Sequence, residues 1–589
     1  MSRYLILFFS PLLLCAQPLV DDDPVLKAMA DELKHSSTIR IPGPNPYPPY
    51  FIEYGGERSN SFTASATSGG LVRAVRNQSF NPRVMVRVGS TKLDNGNSVY
   101  TGMAVGANYD SGQWAYEGGY DLLRQQYWLA TDRVYKSAVE SFSRKVAALK
   151  DLTQSEPLND FAEAKPVVKI LPEANYKLDE EKWKAKIVAL SRLFLKFPDI
   201  LHSSVDFDAI SDTAYYMNSE GSKQRFPEGA FHLRARTLAQ AADGSNIWDY
   251  VAFGSEQESG LPSDAEIQQG INGIAENTKA LREAKVGEAY TGPVLFEPRA
   301  AAQMMAQILA HELRPVRTPV TPPGRPATLP QSDWSTRIGS RVLPDFFAVK
   351  DVPHKAFADG KPYLGNFDVD LEGVVPEPLT LIEKGVLKTM LHTRQPVRGH
   401  EGSNGRARFP GEFGAKTPFM SNVEITVGDS KPMAALKASL IDLVKQRGKA
   451  YGILVRKLDY PSAAPGEERQ RLMSSARASG SNFIFSLPLQ IYKVYPDGRE
   501  ELIRGVKFRN ITGRSLRDIT AASSETSLFS YYATSAPLSS SGGGSSAYVN
   551  GVTVESPGVL FDELEIEQPQ SDKPRLPLVP PPAYETTSN

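Results

Sequence analysis

The fold is decided by residues 292–317, which read GPVLFEPRAAAQMMAQILAHELRPVR. The apolar start of this stretch predicts a buried strand, and Pro298 occupies the first-turn position that suits proline in a helix. The apolar spacing that follows predicts a helix, which Pro315 ends because it cannot donate a backbone hydrogen bond. The predicted helix carries His311 and Glu312, a pair that can place a metal ligand beside a carboxylate that deprotonates water.

The metal site suggested by this helix is incomplete. A catalytic zinc usually needs three protein ligands, so His311 as a metal ligand and Glu312 as a catalytic base both depend on replacement donors. In the alternative interpretation, His311 is held by local hydrogen bonds and Glu312 is an ordinary, partly buried carboxylate. The sequence favours this alternative because Pro315 disturbs the turn that would aim a replacement ligand. The cofactor is therefore predicted to be zinc or none, and the nearby histidines that could complete a site are His354, His392 and His400.

The composition describes a globular chain with balanced charge. It has 589 residues, 41% of them hydrophobic, with 66 Lys and Arg against 67 Asp and Glu. This balance provides no basic field of the kind that draws proteins onto phosphates, so no nucleic-acid partner is expected.

The first residues predict export. Arg3 precedes an apolar run that is too short to span a bilayer, so residues 1–16 are interpreted as a signal peptide, with no integral membrane span. The mature protein is then periplasmic or extracellular. A lipid anchor on Cys15 is the less favoured alternative, because Leu14 is bulkier than a lipidation motif normally carries. Since Cys15 is the only cysteine, the cleaved chain would have no disulfides and no thiol ligands.

The rest of the chain predicts an α+β protein in two lobes. Residues 17–50 read as a proline-rich extended segment whose acidic run, Asp21–Asp23, is solvated. An N-terminal α/β lobe follows at 51–290, and a C-terminal antiparallel β-rich lobe at 291–565. Residues 566–589 form a disordered proline-rich tail.

Two turns in the second lobe predict β-hairpins, and two polar groups are further candidates for binding. The turns are Glu383-Lys384-Gly385 and Pro496-Asp497-Gly498. Asp368, Asp370 and Glu372 alternate along a predicted strand. Their side chains either bind a hard cation or, more often in such a region, face solvent at a sheet edge. Arg406 and Arg408 could hold a peptide carboxylate or make structural salt bridges.

Four blocks, in this order, resemble the TldD/PmbA family of metallopeptidases, once described as modulators of DNA gyrase. They are the strand and His-Glu helix at 294–312, the acidic turn and hairpin at 368–387, the glycine, asparagine and arginine segment at 402–408, and the closing strands at 482–505. The resemblance implies an N-terminal α/β lobe, a C-terminal β-rich lobe, and a heterodimer in which one subunit carries zinc.

The resemblance also shows where this chain departs from the zinc-bearing members. Those members have a His-Glu-x-x-x-His helix and a cysteine ligand from the C-terminal lobe. His311 and Glu312 match the first two positions, but Val316 stands at the second histidine and residues 471–481 contain no cysteine.

We therefore expect an exported protein in the proteolysis of unfolded or peptide substrates. The incomplete site suggests a subunit that supports an active partner, as a homo- or heterodimer with a family member. The alternative is a non-enzymatic peptide-binding or structural protein of the envelope. A serine or thiol route is not expected, because the sequence has no Gly-x-Ser-x-Gly elbow and no mature cysteine.

Overall fold

The structure is a computed structural model. It describes residues 23–42, 47–99, 114–150, 158–175, 177–322, 332–355, 357–358, 361–410, 415–478, 483–534, 549–568 and 576–577. The predicted signal peptide with Cys15, and most of the predicted tail, lie outside these residues. No helix within them is long and apolar enough to cross a membrane.

Seven α-helices lie in the described part of the chain. They are α1 (Pro24–Ser36), α2 (Tyr120–Leu149), α3 (Glu180–Ser191), α4 (Asp264–Glu283), α5 (Pro298–Glu312), α6 (Met433–Gln446) and α7 (Gly466–Ala478).

Among the described residues, the first sheet has six strands, and every pairing in it is antiparallel except that of β3 with β5. The order is β2-β1-β4-β5-β3, with β6 also pairing with β5. The strands are β1 (Pro49–Thr67), β2 (Gly70–Val88), β3 (Val168–Ile170), β4 (Ile200–Asn218), β5 (Lys223–Gln240) and β6 (Asn246–Ser255).

Side chains of opposite character alternate along the long strands of this sheet. Positions such as Tyr54, Phe62 and Phe207 face the helices and form two apolar clusters, one with α1 and α2 and the other with α3 and α4. The intervening positions, such as Ser59 and Asp212, face the opposite side. One face of the sheet is thus covered by helices and the other is polar over much of its length, as the two-residue period of a strand allows.

The second sheet has twelve strands in the part of the chain that the structure describes, and it contains the landmarks of the C-terminal lobe. Ten follow the order β13-β12-β9-β16-β22-β8-β17-β18-β19-β7, while β20 and β21 pair with β22; β10 with β11 and β14 with β15 form separate hairpins. The strands are β7 (Lys285–Val286), β8 (Tyr290–Phe296), β9 (Phe347–Asp351), β10 (Phe357–Ala358), β11 (Lys361–Pro362), β12 (Leu379–Glu383), β13 (Val386–Leu387), β14 (Ala407–Pro410), β15 (Lys416–Pro418), β16 (Asn422–Val427), β17 (Gly452–Leu458), β18 (Pro488–Val494), β19 (Glu500–Arg504), β20 (Lys507–Arg509), β21 (Ile519–Ala533) and β22 (Asn550–Glu567).

The predicted strand and helix at the centre of the fold are confirmed as β8 and α5. Val294 and Phe296 pack in the cluster that contains α5, while Leu295 packs in a separate cluster with α6. Burial on both faces explains why the sequence of β8 is continuously apolar and does not alternate.

The α+β class and both hairpins are also confirmed. Lys384 and Gly385 have φ of 48° and 71°, which the tight turn between β12 and β13 requires. The second hairpin joins β18 to β19 around Gly498, whose φ is 88°.

Two local expectations are wrong. Residues 24–36 are the helix α1 and not an extended segment, because Asp23 caps the helix before the prolines begin. Asp23 itself is buried and paired with Arg225, so it is not solvated. The predicted lobe boundary near residue 290 stays a prediction.

Candidate functional site

Helix α5 is held rigidly at the centre of the C-terminal lobe. Nearly all its side chains are buried, and Gln303 exchanges hydrogen bonds with Leu458, accepting from its N at 2.8 Å and donating to its O at 2.9 Å. Gln307 accepts a hydrogen bond from the backbone N of Ser486 at 2.9 Å. These contacts fix where the end of the helix presents His311 and Glu312.

The His311 ring is partly buried and lies against an aromatic ring. Its centroid is 5.1 Å from that of Phe483. The ring makes no hydrogen bond with any residue that the structure describes, so the local bonding expected from the sequence is not found there. Burial lowers the pKa of His311, and the charge of Arg314 lowers it further. The imidazole is therefore neutral at neutral pH.

Glu312 is fully buried and both its oxygens are occupied. Oε2 accepts from Ser332 Oγ at 3.0 Å and from Trp334 N at 3.3 Å, and Oε1 accepts from Gly513 N at 3.2 Å. Burial raises the pKa of Glu312. This carboxylate ties the end of α5 to two loops, an arrangement that leaves it poorly placed to activate water.

Arg314 puts a positive charge beside this pair. Its guanidinium lies 5.9 Å from the ring centroid of Phe419 and has no ion pair within the described residues. Burial lowers its pKa, while the nearby Tyr460 acts in the opposite direction. A partly desolvated cation at this position repels a metal ion and attracts an anionic or carbonyl group.

The described residues around His311 do not fit a catalytic zinc. Helix α5 ends at Glu312, so Val316 lies beyond it and carries no donor atom. Within the ranges that the structure describes, no three His, Cys, Asp or Glu side chains are grouped to hold a metal ion. A role for His311 in metal binding and for Glu312 in catalysis stays a prediction.

The other histidines have separate surroundings. His354 is hydrogen-bonded through Nε2 to the carbonyl of Pro376 at 2.9 Å. His392 and His400 stack on each other with centroids 4.0 Å apart, and burial lowers the pKa of His392 to about 3.

The acidic turn and Arg406 are structural. Asp370 is buried in a turn, where it accepts hydrogen bonds from the backbone N of Glu372, Val374 and Ala407 at 2.9 Å each. The predicted alternating strand is therefore wrong here. Arg406 is fully buried and donates from Nε to Asp351 at 2.8 Å, so the salt-bridge alternative describes it.

An aromatic cluster and a strand edge lie near Arg314. Tyr460, Phe529 and Tyr531 pack together with ring centroids 5.2 to 6.1 Å apart. Residues 527–533 of β21 pair with β22 on one side, and no strand within the described ranges pairs with their other side. Sequence reasoning did not identify Tyr460 or Arg314, since neither belongs to a recognisable spacing.

Comparisons with known proteins agree with this architecture. Residues 289–469 match the PmbA/TldA metallopeptidase C-terminal domain. No curated protein sequence matches the chain significantly.

Three crystal structures share the fold. TldE from Thermococcus kodakarensis is 13% identical with a TM-score of 0.53, covering 92% of this chain and 100% of its own. A candidate modulator of DNA gyrase from Bacteroides thetaiotaomicron is 11% identical with a TM-score of 0.54, covering 92% and 98%. A similar candidate from Thermotoga maritima is 14% identical with a TM-score of 0.52, covering 88% and 96%.

The family match covers residues 289–469, and the likeness to the three crystal structures, at 11–14% identity, extends the shared α+β fold over 88–92% of the chain.

Proposed function

We propose that this protein takes part in the proteolysis of unfolded or peptide substrates as a subunit that holds substrate and supports a metal-bearing partner. The observation that carries the proposal is the state of the His-Glu pair. Glu312 is tied to Ser332, Trp334 and Gly513, and Arg314 supplies a cation next to His311. These surroundings favour binding of a polar peptide group over activation of water.

Substrate binds as an added strand along β21. Within the described ranges no strand pairs with the other side of residues 527–533, and the buried rings of Phe529 and Tyr531, 9% and 5% exposed, pack behind this edge. Recognition through the main chain tolerates varied sequences, which suits an unfolded substrate. Arg314 then anchors a carboxylate or carbonyl of the peptide by charge-assisted hydrogen bonds.

The partner is a second family member, in a homo- or heterodimer. A partner with the complete His-Glu-x-x-x-His helix and a cysteine ligand would provide the zinc chemistry, and this chain would contribute binding. The proposed site of action is outside the cytoplasm, because residues 1–16 have the pattern of a signal peptide. Amino-terminal sequencing of the exported protein tests this part.

The decisive experiment measures binding and cleavage separately. Anisotropy of a short labelled, unstructured peptide reports binding to the purified mature chain, and mass spectrometry reports cleavage with and without a family member that has the full motif. We expect binding alone, and cleavage only with the partner. Chelator-sensitive cleavage by the isolated chain, abolished by Glu312→Gln, would overturn the proposal.

Variants at Arg314 sharpen this experiment. Arg314→Gln should weaken peptide binding about tenfold or more, since a hydrogen bond to a charged group contributes about 1.5–3 kcal/mol. Arg314→Lys keeps the charge and should recover part of the affinity. Arg341→Gln is the matched control, because the Arg341 side chain is 58% exposed and pairs with Asp345. Equal affinities for all four proteins would remove Arg314 from the site.

A further inference from the structure

A cavity lies between the polar face of the first sheet and the C-terminal lobe. It has a volume of about 780 Å³, a size typical of small-molecule sites. Its wall on the sheet side consists of the outward-facing positions of β1, β2, β4 and β5, and its wall on the other side includes Phe367, Arg408 and Tyr532. None of its lining residues surrounds His311 or Glu312, so the two sites are separate.

Three carboxylates meet on the sheet wall of this cavity. Asp212 on β4 is paired in register with Glu228 on β5 and with Ser59 on β1. Glu57 lies two residues before Ser59 on β1, so its side chain is on the same face. Residues directly opposite in an antiparallel pair have Cβ atoms about 4.5–5.5 Å apart, and like charges there are destabilising. Within the described ranges no lysine or arginine lies within ion-pair distance of Glu57, Asp212 or Glu228, although the charge of Arg83 acts on Glu57 and Glu228.

The pKa values of these carboxylates reflect their burial and their closeness to one another. Burial raises the pKa of Asp212 to about 7 and raises that of Glu57 well above its usual range. Repulsion from Asp212 and Glu228 adds to the effect at Glu57. One Asp212 oxygen, Oδ1, is buried without a hydrogen-bond partner. A cation among the three would relieve the repulsion and give Asp212 Oδ1 the partner that it lacks.

Arg408 supplies the complementary group on the opposite wall. It is only 6% exposed, and its guanidinium lies 3.9 Å from the ring centroid of Phe367. Its Nε has no hydrogen-bond partner, and Nη2 reaches the carbonyl of Gly551 only at 3.5 Å. The charge of Glu228 acts on Arg408, yet the two are not in ion-pair contact. A buried, unsatisfied guanidinium in a cavity wall is a site for a carboxylate or carbonyl oxygen.

We propose that this cavity binds a small zwitterion, a free amino acid or a very short peptide, with its ammonium among Glu57, Asp212 and Glu228 and its carboxylate on Arg408. The gap between Glu228 and Arg408 is where a ligand with both charges satisfies both walls. This site does not depend on the proposed function: of residues 527–533, along which substrate would be held, only Tyr532 also lines the cavity.

The test is isothermal titration calorimetry of the intact mature chain with Ala-Ala, N-acetyl-Ala-Ala and Ala-Ala-amide. We expect Ala-Ala to bind at one site, and blocking either end to weaken binding about tenfold or more. Absence of binding by Ala-Ala, or equal binding of the blocked peptides, would overturn the proposal. These ligands test the unmodified protein, so the result stands even if a cavity variant fails to fold.

Substitutions assign each end of the ligand to its wall. Asp212→Asn and Glu228→Gln should abolish the preference for Ala-Ala over N-acetyl-Ala-Ala, and Arg408→Gln should abolish the preference over Ala-Ala-amide. Glu383→Gln, in an exposed hairpin turn outside the cavity, is the control. If Arg314→Gln abolished binding of Ala-Ala while Asp212→Asn did not, the dipeptide would occupy the His311 site and the cavity proposal would be wrong.

Discussion

Asp212 and Glu228 lie directly opposite each other on β4 and β5 and are not ion-paired to any lysine or arginine within the described ranges. Side chains this close cannot both ionise without repulsion, and burial adds to the cost of charging either one. The pair therefore couples the stability of the first sheet to pH.

Stability should fall as pH rises through the range in which these groups ionise. The pKa of Asp212 in the folded state is about 7, against 3.8 as its ordinary value. A raised folded-state pKa means that, between these two pH values, the folded state binds more protons than the unfolded state. The stability that the protonated Asp212 contributes is therefore present in acid and lost toward pH 7. Each such proton changes the free energy of unfolding by about 1.4 kcal/mol per pH unit.

Asp212→Asn should flatten this dependence by removing one titrating group. The free energy of unfolding, measured by urea titration between pH 4.5 and pH 8, should fall less steeply for the variant than for the parent protein. Glu383→Gln, which changes a carboxylate that is 58% exposed, should leave the slope as it is. Identical slopes for all three proteins would contradict the assignment.

Gly513→Ala should destabilise the protein by about 1–3 kcal/mol, the usual cost of overpacking. A Cβ at Gly513 would lie 2.7 Å from Glu312 Cδ and 2.7 Å from Trp334 Nε1, so the loop that donates to Glu312 must shift. Urea denaturation gives the loss. The control is Gly273→Ala in helix α4, where a Cβ meets no atom within 4 Å and alanine should stabilise by about 0.5–1 kcal/mol. If Gly513→Ala left the free energy of unfolding unchanged, the contact of this loop with Glu312 and Trp334 would not be tight.

Strong local signals made the centre of the fold predictable from the sequence. The apolar run before Pro298 and the helical spacing after it gave β8 and α5, and turn glycines such as Gly385 and Gly498 gave both hairpins. These features depend on residues close in sequence, whose preferences act independently of the rest of the chain.

The candidate site was less predictable because it depends on residues far apart in sequence. The donors to Glu312 come from Ser332, Trp334 and Gly513, up to 201 positions away. The cavity carboxylates were missed for the same reason: Asp212 and Glu228 have ordinary sequence contexts, and only the register of β4 against β5 brings them together. Alternation along the long strands was the one available signal.

Val316→His alone should not create a zinc site. The new imidazole would stand beyond the end of α5 and beside the positive charge of Arg314, and the cysteine ligand of the zinc-bearing members would still be missing. With two of the three protein ligands that a catalytic zinc usually needs, we expect well under about one zinc per chain after dialysis. Elemental analysis of parent and variant measures this directly. Stoichiometric zinc in the parent protein would show that donors outside the described residues complete the site.

Lys457 and Asp249 should be strongly coupled, because they form a buried ion pair that joins β17 of the second sheet to β6 of the first. Lys457 is 3% exposed and also donates to the carbonyl of Tyr250 at 2.5 Å. Lys457→Met leaves the Asp249 carboxylate buried without its cation, which should cost about 3–5 kcal/mol.

The double variant Lys457→Met with Asp249→Asn should lose less than the sum of the two single variants, because no uncompensated charge remains. The matched control is a double-mutant cycle on the surface pair Lys388 and Glu383. Lys388 Nζ lies 3.2 Å from Glu383 Oε2, and the two side chains are 47% and 58% exposed. Exposed pairs contribute about 0–1 kcal/mol, so this cycle should show little coupling. Urea denaturation of both sets gives the two coupling energies. Additive losses at Lys457 and Asp249 would mean that packing and not charge pairing holds the sheets together at this point.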